Sequence, residues 1–313
     1  MRVAAVHQSP VLLDRAATLD KVVAAIAEAG AADVRLLGFP ETFVPGYPYW
    51  LGTVPFDEQG ALNRRYAEES VRLTAQALGA VGRACARHRV NVVLGISERH
   101  GGTLYNTQVF IDDQGEVAGV HRKLQPTLVE RAIWGQGDGS TLGVHALGVG
   151  RVGGLICGEH SMNLARQALI TGLPQFHVGA WPGGGAVRSL DEWFRGHIWA
   201  LSRVHAYTAG CFVIAAADPM SEANLSVIEE AFGPQPKLQV GGAISLILDP
   251  WGNVLARHEG ADERLVIAEA DLSVITAAKL QHDSSGHSAR PEILRLEVDT
   301  RPHVRWPEPP ELG

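Results

Sequence analysis

Short apolar runs alternate along this chain with longer stretches whose apolar residues recur every three to four positions. Residues 2–7 read as a strand, and residues 16–29 follow with Leu19, Val22, Val23 and Ile26 on one helical face. Residues 34–39 make the next strand. A helical period then runs from about residue 62 to 88, with Leu73, Ala77, Val81 and Ala84 or Cys85 on its apolar stripe, and residues 91–97 return as a strand. The same alternation recurs further on: strand 151–157, helix 163–169, strand 175–178, helix 191–209 and strand 211–216. Such alternation predicts an α/β fold in which sheets are covered by helices. Segments 45–60, 218–239 and 282 onward interrupt the pattern. They are too long for simple connections and read as lids or contact surfaces.

Two hairpins sharpen this picture. Residues 110–121 align without a gap with residues 247–258, sharing Asp112/Asp249, Gly115/Gly252, Val117/Val254 and His121/His258. The two glycines would supply the positive φ that a tight hairpin needs. Chance can also produce this match, because Asp-x-x-Gly turns are common. If it reflects internal duplication, two similar sheets stack face to face between helix layers, a four-layer sandwich.

Composition changes the picture mainly by exclusion. A chain of 313 residues, 46% hydrophobic and 19% charged, has the make-up of a globular protein with a large core. The net charge of -7 leaves no basic field to hold nucleic acid or an anionic membrane. Only Cys85, Cys157 and Cys211 occur, with no CxxC pair, so neither a disulfide framework nor a cysteine zinc cluster is indicated. The N-terminal apolar run is too short for a signal sequence, and no stretch approaches the roughly 20 apolar residues that span a bilayer. A cytoplasmic protein is expected. Despite thirteen histidines there is no HExxH and no compact acidic ligand set, so no metal site is expected. His282 and His287 read as loop residues. The glycines of 135–139 and 183–185 lack the lysine and hydroxyl of a phosphate loop and read as turns, and Ser284-Ser-Gly286 lacks the surroundings of a serine amidase.

The candidate chemistry lies at strand ends. Run 151–157 finishes on Cys157, followed at once by Gly158; run 35–41 finishes on Glu41, and run 117–123 on Lys123. A lone cysteine usually behaves as a small core hydrophobe. A thiol, a carboxylate and an amine at three strand ends instead suggest one site. A free thiol with a pKa near ~8.5 is only slightly ionised at neutral pH, so it needs a base or a nearby positive charge to react. Taken singly, Glu41 also fits an N-cap or a solvated loop, and Lys123 a solvated hairpin end.

The stretches Phe39-Pro-Glu41, His121-Arg-Lys-Leu-Gln-Pro-Thr127, Glu130-Arg-Ala-Ile-Trp-Gly-Gln-Gly-Asp-Gly139, Cys157-Gly-Glu159 and Gly286-His-Ser-Ala-Arg-Pro291, in this order and spacing, resemble the nitrilase branch of the carbon-nitrogen hydrolase superfamily. The resemblance runs from near the N-terminus to about residue 297. It implies an α-β-β-α sandwich, a catalytic set of Glu41, Lys123 and Cys157 with Glu130 as supporting carboxylate, no metal or organic cofactor, and a homo-oligomer built from dimers. It also implies a hydrolase domain over 1–280 and a C-terminal tail, 281–313, engaged in oligomer contacts. Glu130 would orient Lys123 or the attacking water, although by itself it could simply pair with Arg131.

The chain departs from the family in one place. Members usually carry tryptophan after the cysteine and often asparagine two residues later, where this sequence has Gly158 and His160. Gly158 is therefore expected to open space beside the thiol, and His160, Trp134 and Trp181 are expected to join it around the substrate. The reaction implied is hydrolysis of a small organic nitrile to a carboxylate and ammonia through a thioimidate and a thioester. An amidase or N-carbamoyl hydrolase using the same residues is the alternative, and a non-catalytic oligomeric scaffold a third.

Overall fold

The computed structural model describes residues 1–303. In chain order its elements are β1 (Arg2–His7), α1 (Arg15–Ala31), β2 (Val34–Gly38), α2 (Gly60–Glu69), α3 (Gly79–His88), β3 (Asn91–His100), β4 (Thr103–Ile111), β5 (Val117–Arg122), β6 (Val144–Leu147), β7 (Gly150–Ile156) and α4 (Asn163–Thr171). These are followed by β8 (Phe176–Trp181), α5 (Asp191–Ala209), β9 (Phe212–Ala217), α6 (Glu222–Phe232), β10 (Ala243–Leu248), β11 (Val254–Gly260), β12 (Arg264–Glu269) and α7 (Ser273–Gln281).

The layering follows from side chains that alternate along strands buried on both faces. On β1, Ala4 and Val6 join a core beneath α1 and α3, whereas Val3 and Ala5 join a second core between the sheets. On β9, Phe212, Ile214 and Ala216 face that same inter-sheet core, while Val213, Ala215 and Ala217 pack with Ile198 and Ala206 of α5 in a third. Three successive cores require four layers, α-β-β-α.

The two six-stranded sheets run β12-β1-β2-β3-β4-β5 and β11-β10-β9-β8-β7-β6. In the first, β1, β2 and β3 are parallel, β4 and β5 follow antiparallel, and β12 lies antiparallel to β1. In the second, β7, β8 and β9 are parallel, β10 and β11 follow antiparallel, and β6 lies antiparallel to β7. The repeat extends to detail. The hairpins β4-β5 and β10-β11 shift register at the aligned positions Phe110/Ile111 and Ile247/Leu248. Both turns are closed by an aspartate, with Gly115 at φ 88° and Gly252 at φ 78°. The expected pseudo-duplication is thus present in the topology.

Three expectations need correction. The helix predicted over 62–88 is two helices, because the chain leaves α2 at Ser70 and Val71 pairs with the end of β3, exchanging bonds of 2.8 Å with Ser97 and Arg99. Segment 218–239 contains α6, capped by Ser221 through Asn224 N–H. Segment 45–60 is built partly of short 3₁₀ turns at Tyr49–Gly52 and Phe56–Glu58. Strands β6 and β12 and helix α7 add to the predicted elements. No helix among the described residues is long and apolar enough to cross a membrane.

Candidate active site

The three expected groups converge from both sheets. Glu41 lies in the turn after β2, where its N–H donates to the Trp181 carbonyl at the end of β8 (3.2 Å). Lys123 directly follows β5, held by its N–H on the Asn106 carbonyl (2.8 Å). Cys157 is not the last residue of its strand, as predicted, but the first of the 3₁₀ turn Cys157–Ser161, at φ 49°. That left-handed conformation is unfavourable for a residue with a Cβ and marks the turn as held from outside.

Lys123 Nζ donates to Glu41 Oε1 (2.7 Å) and to Glu130 Oε2 (2.6 Å), and all three side chains are buried. Asn106 Nδ2 donates to Glu41 Oε1 as well (2.6 Å). Glu130 is held further by the Thr127 N–H (2.7 Å) and the Tyr47 hydroxyl (3.0 Å). A carboxylate oxygen of Glu41, one of Glu130 and the Cys157 sulfur all lie within 4.8 Å of one another. Such a donor set could ligate a cation. The Lys123 ammonium, bonded to both carboxylates, already supplies the positive charge there.

Burial governs the ionisation of these groups. It lifts Glu41 to about 7, against the opposing pull of Lys123 and with Glu130 adding to the rise. It likewise holds the Cys157 thiol well above its ordinary range, the negative charge of Glu41 adding to the effect and Lys123 opposing it. Burial works against the charge of Lys123, but Glu41 and Glu130 outweigh it and keep the ammonium protonated. The resting site therefore pairs a neutral thiol with a base whose second oxygen, Oε2, makes no protein hydrogen bond.

The nucleophile turn is tied down by its own third residue. Glu159 accepts from Ile156 N–H (2.8 Å) and from Leu124 N–H (2.7 Å), bridging the end of β7 to the residue after Lys123, and pairs with His121 Nε2 at 3.0 Å.

A cavity of about 580 Å³ opens onto Cys157, with Tyr47, Tyr49, Thr127, Trp193 and Phe194 in its wall. Gly158 lines it, as expected. The other three expected wall residues do not. Trp134 is buried behind Tyr47 and Tyr66 with its indole N–H on Ser97 Oγ (3.0 Å). Trp181, the last residue of β8, packs in the core beneath α5. His160 is fully buried, stacked on Trp181 at 4.5 Å. Sequence reasoning missed Tyr47, Asn106, Thr127 and Glu159. The last two stand inside quoted motifs, and Asn106 is a polar residue in the middle of an otherwise strand-like run, which is itself a signal.

Comparison with known proteins accords with this geometry. The family model described as carbon-nitrogen hydrolase matches residues 2–280. A protein named nitrilase from Paraburkholderia phymatum is 40% identical over 305 residues, covering 96% of this chain and 87% of its own. Another nitrilase, from Pseudomonas syringae pv. syringae, is 36% identical, covering 96% and 90%. Among solved structures, the C. elegans NitFhit protein superposes with a TM-score of 0.70 at 19% identity, covering 95% of this chain and 67% of that one.

Proposed function

This chain belongs to the nitrilase branch of the carbon-nitrogen hydrolase family, and from that premise we propose that it hydrolyses an organic nitrile to the carboxylic acid and ammonia. The observation that carries the reading is the buried ammonium of Lys123 between Glu41 and Glu130, with the Cys157 sulfur beside them at the floor of an aromatic cavity.

Each residue has a role that its surroundings suit. Glu41 takes the proton of the Cys157 thiol as sulfur attacks the nitrile carbon and passes it to the nitrogen, which completes the thioimidate and frees the carboxylate again, a role worth about 10²- to 10⁴-fold. Lys123 donates to the nitrogen as negative charge develops there, with the Gly158 N–H as a second donor. Glu130 keeps Lys123 aimed. A first water adds to the thioimidate, its proton passing through Glu41 to the nitrogen, and the tetrahedral carbon expels ammonia as the proton of its hydroxyl follows the same route and the thioester carbonyl forms. A second water cleaves the thioester, releasing the acid and restoring the thiol. Two waters are consumed for each nitrile.

The chain is read as residues 1–280 forming the hydrolase domain and the segment from 281 making contacts in a homo-oligomer of dimers; residues 304–313 lie outside the described residues. Three free, buried cysteines fit a reducing, cytoplasmic setting. The partner is a small molecule and not nucleic acid. Matched nitrile and amide pairs, with ammonia, acid and amide measured separately, test the reading. Ammonia and acid from the nitriles are expected; turnover of amides alone would make the protein an amidase, and turnover of neither a scaffold.

A further inference from the structure

Behind the nucleophile, away from the cavity, three histidines are fully buried in a row: His160 on the turn of Cys157, His177 on β8 and His205 on α5. His160 Nδ1 lies 2.9 Å from the Cys157 carbonyl oxygen, and His160 Nε2 lies 2.9 Å from His177 Nε2. The His205 ring stands 3.9 Å from that of His177. β8 makes room for this arrangement with a glycine, since a Cβ on Gly179 would come within 3.1 Å of His160 Nε2.

The hydrogen-bond directions are fixed by what each atom can do. A carbonyl only accepts, so His160 Nδ1 carries a proton and donates. Burial keeps the ring neutral, so Nε2 is an acceptor and His177 Nε2–H donates to it. The row ends on a carbonyl and cannot deliver a proton to sulfur. It can set geometry. The Cys157 carbonyl and the Gly158 N–H belong to one planar peptide unit and point in opposite directions. Pinning the oxygen from behind leaves the N–H on the opposite side of the peptide, with Cys157 and Gly158 both lining the cavity.

We propose that His160 is a positioning residue, which, with its tautomer set by His177, orients the Gly158 N–H toward the reacting atoms and holds Cys157 in its left-handed conformation. The proposal rests on the nitrilase reading of Cys157. It replaces the expectation that His160 contacts substrate: the side chain acts through the backbone of the nucleophile and should affect the rate of chemistry more than substrate binding.

The test compares His160→Asn, His160→Gln and His160→Ala in the full chain, with Cys157→Ala as control. Asparagine can place an N–H where Nδ1 stood, and glutamine, one carbon longer, cannot. Loss of an oxyanion donor costs about 10²- to 10³-fold in kcat, and a misaimed one less, so His160→Gln and His160→Ala should lose about tenfold or more in kcat. KM should stay within about twofold and His160→Asn within about threefold of the parent rate. Circular dichroism and size-exclusion profiles establish which variants fold. If His160→Ala does not, the Asn and Gln pair decides. Equal rates in that pair, or a folded His160→Ala with near-parental kcat, would overturn the proposal. Turnover by Cys157→Ala would overturn the nitrilase reading along with it, whereas a dead Cys157→Ala beside a normal His160→Ala rejects only the role of His160.

Discussion

A Cβ on Gly158 would stand 2.7 Å from Thr127 Oγ1, and the φ of Gly158 lies outside the left-handed region. Close approach, rather than backbone conformation, is what a side chain would meet there as Thr127 now stands, and the space expected beside the thiol is taken on that side by Thr127. Thr127 N–H also donates to Glu130 Oε2, and Glu130 in turn holds Lys123. Gly158→Ala should therefore lower kcat/KM on nitriles of every size, by about tenfold, rather than shift preference between small and bulky ones. Thr127→Ala in the same chain should recover part of that loss. A changed size profile with an undiminished rate would show that the contact does not matter. Glu41 sets the pH dependence of the reaction. Its proton is held up to about 7 by burial, so the fraction able to act as base falls as pH drops through 7. A pH profile of kcat/KM should lose activity on the acid side with an apparent pKa near that value, and Glu41→Gln should lie about 10²- to 10⁴-fold lower throughout. An acid limb that stays flat to pH 5 would place the base elsewhere.

At the scale of elements, the turn Cys157–Ser161 depends on the buried pair of Glu159 and His121. Burial opposes both charges, but each partner outweighs it for the other, so the Glu159 carboxyl is held below its ordinary range and His121 above its own. For Glu159 the stabilisation is present above the unfolded carboxylate pKa and lost as pH falls through the depressed one. For His121 it is present below the unfolded imidazole pKa and lost as pH rises through the raised one. Breaking a buried pair from one side costs about 3–5 kcal/mol, so Glu159→Gln should lower the melting temperature and also slow turnover by releasing the nucleophile turn. Unchanged melting would contradict this. The strand ends bearing Glu41, Lys123 and Cys157 were legible because an apolar run followed by a polar group is a local signal. The break between α2 and α3 was not: Leu73, Ala77 and Val81 keep a helical period, while the cause, pairing of Val71 with β3, lies far along the chain. Helix α6 did leave a local trace in its Ser221 cap and in Leu225, Ile228 and Phe232, obscured by the prolines on either side.

Across the whole molecule, the site exists only when both sheets are stacked, since Glu41 and Lys123 come from one and Cys157 from the other. Depth was what the sequence concealed. Trp134, His160 and Trp181 stand close in sequence to the right motifs, but which face of the sandwich each side chain enters depends on register and packing with distant elements. The row of buried histidines carries a consequence for stability. Burial lowers His160 to about 4 from an ordinary 6.5, so between these values the unfolded chain binds a proton that the folded one refuses. That group alone withdraws about 3 kcal/mol as pH falls from 7 to below 4, with His177 and His205, also held low by burial, acting in the same direction. Over the same range Glu41 and His121, whose pKa values are both raised, gain stability as pH falls, so the test is the difference between variants: the parent should lose more melting temperature between pH 7 and 4.5 than His160→Asn does. Parallel melting profiles for the two would count against a neutral His160.

If Cys157 bonds covalently to the substrate carbon, mass spectrometry of the enzyme quenched during turnover will capture that bond. With a hydrolysable nitrile, the peptide containing Cys157 should carry the mass of the thioimidate or thioester, and Cys157→Ala should form no adduct and release no ammonia. Ammonia release by a folded Cys157→Ala protein at a rate comparable with the parent would contradict the account.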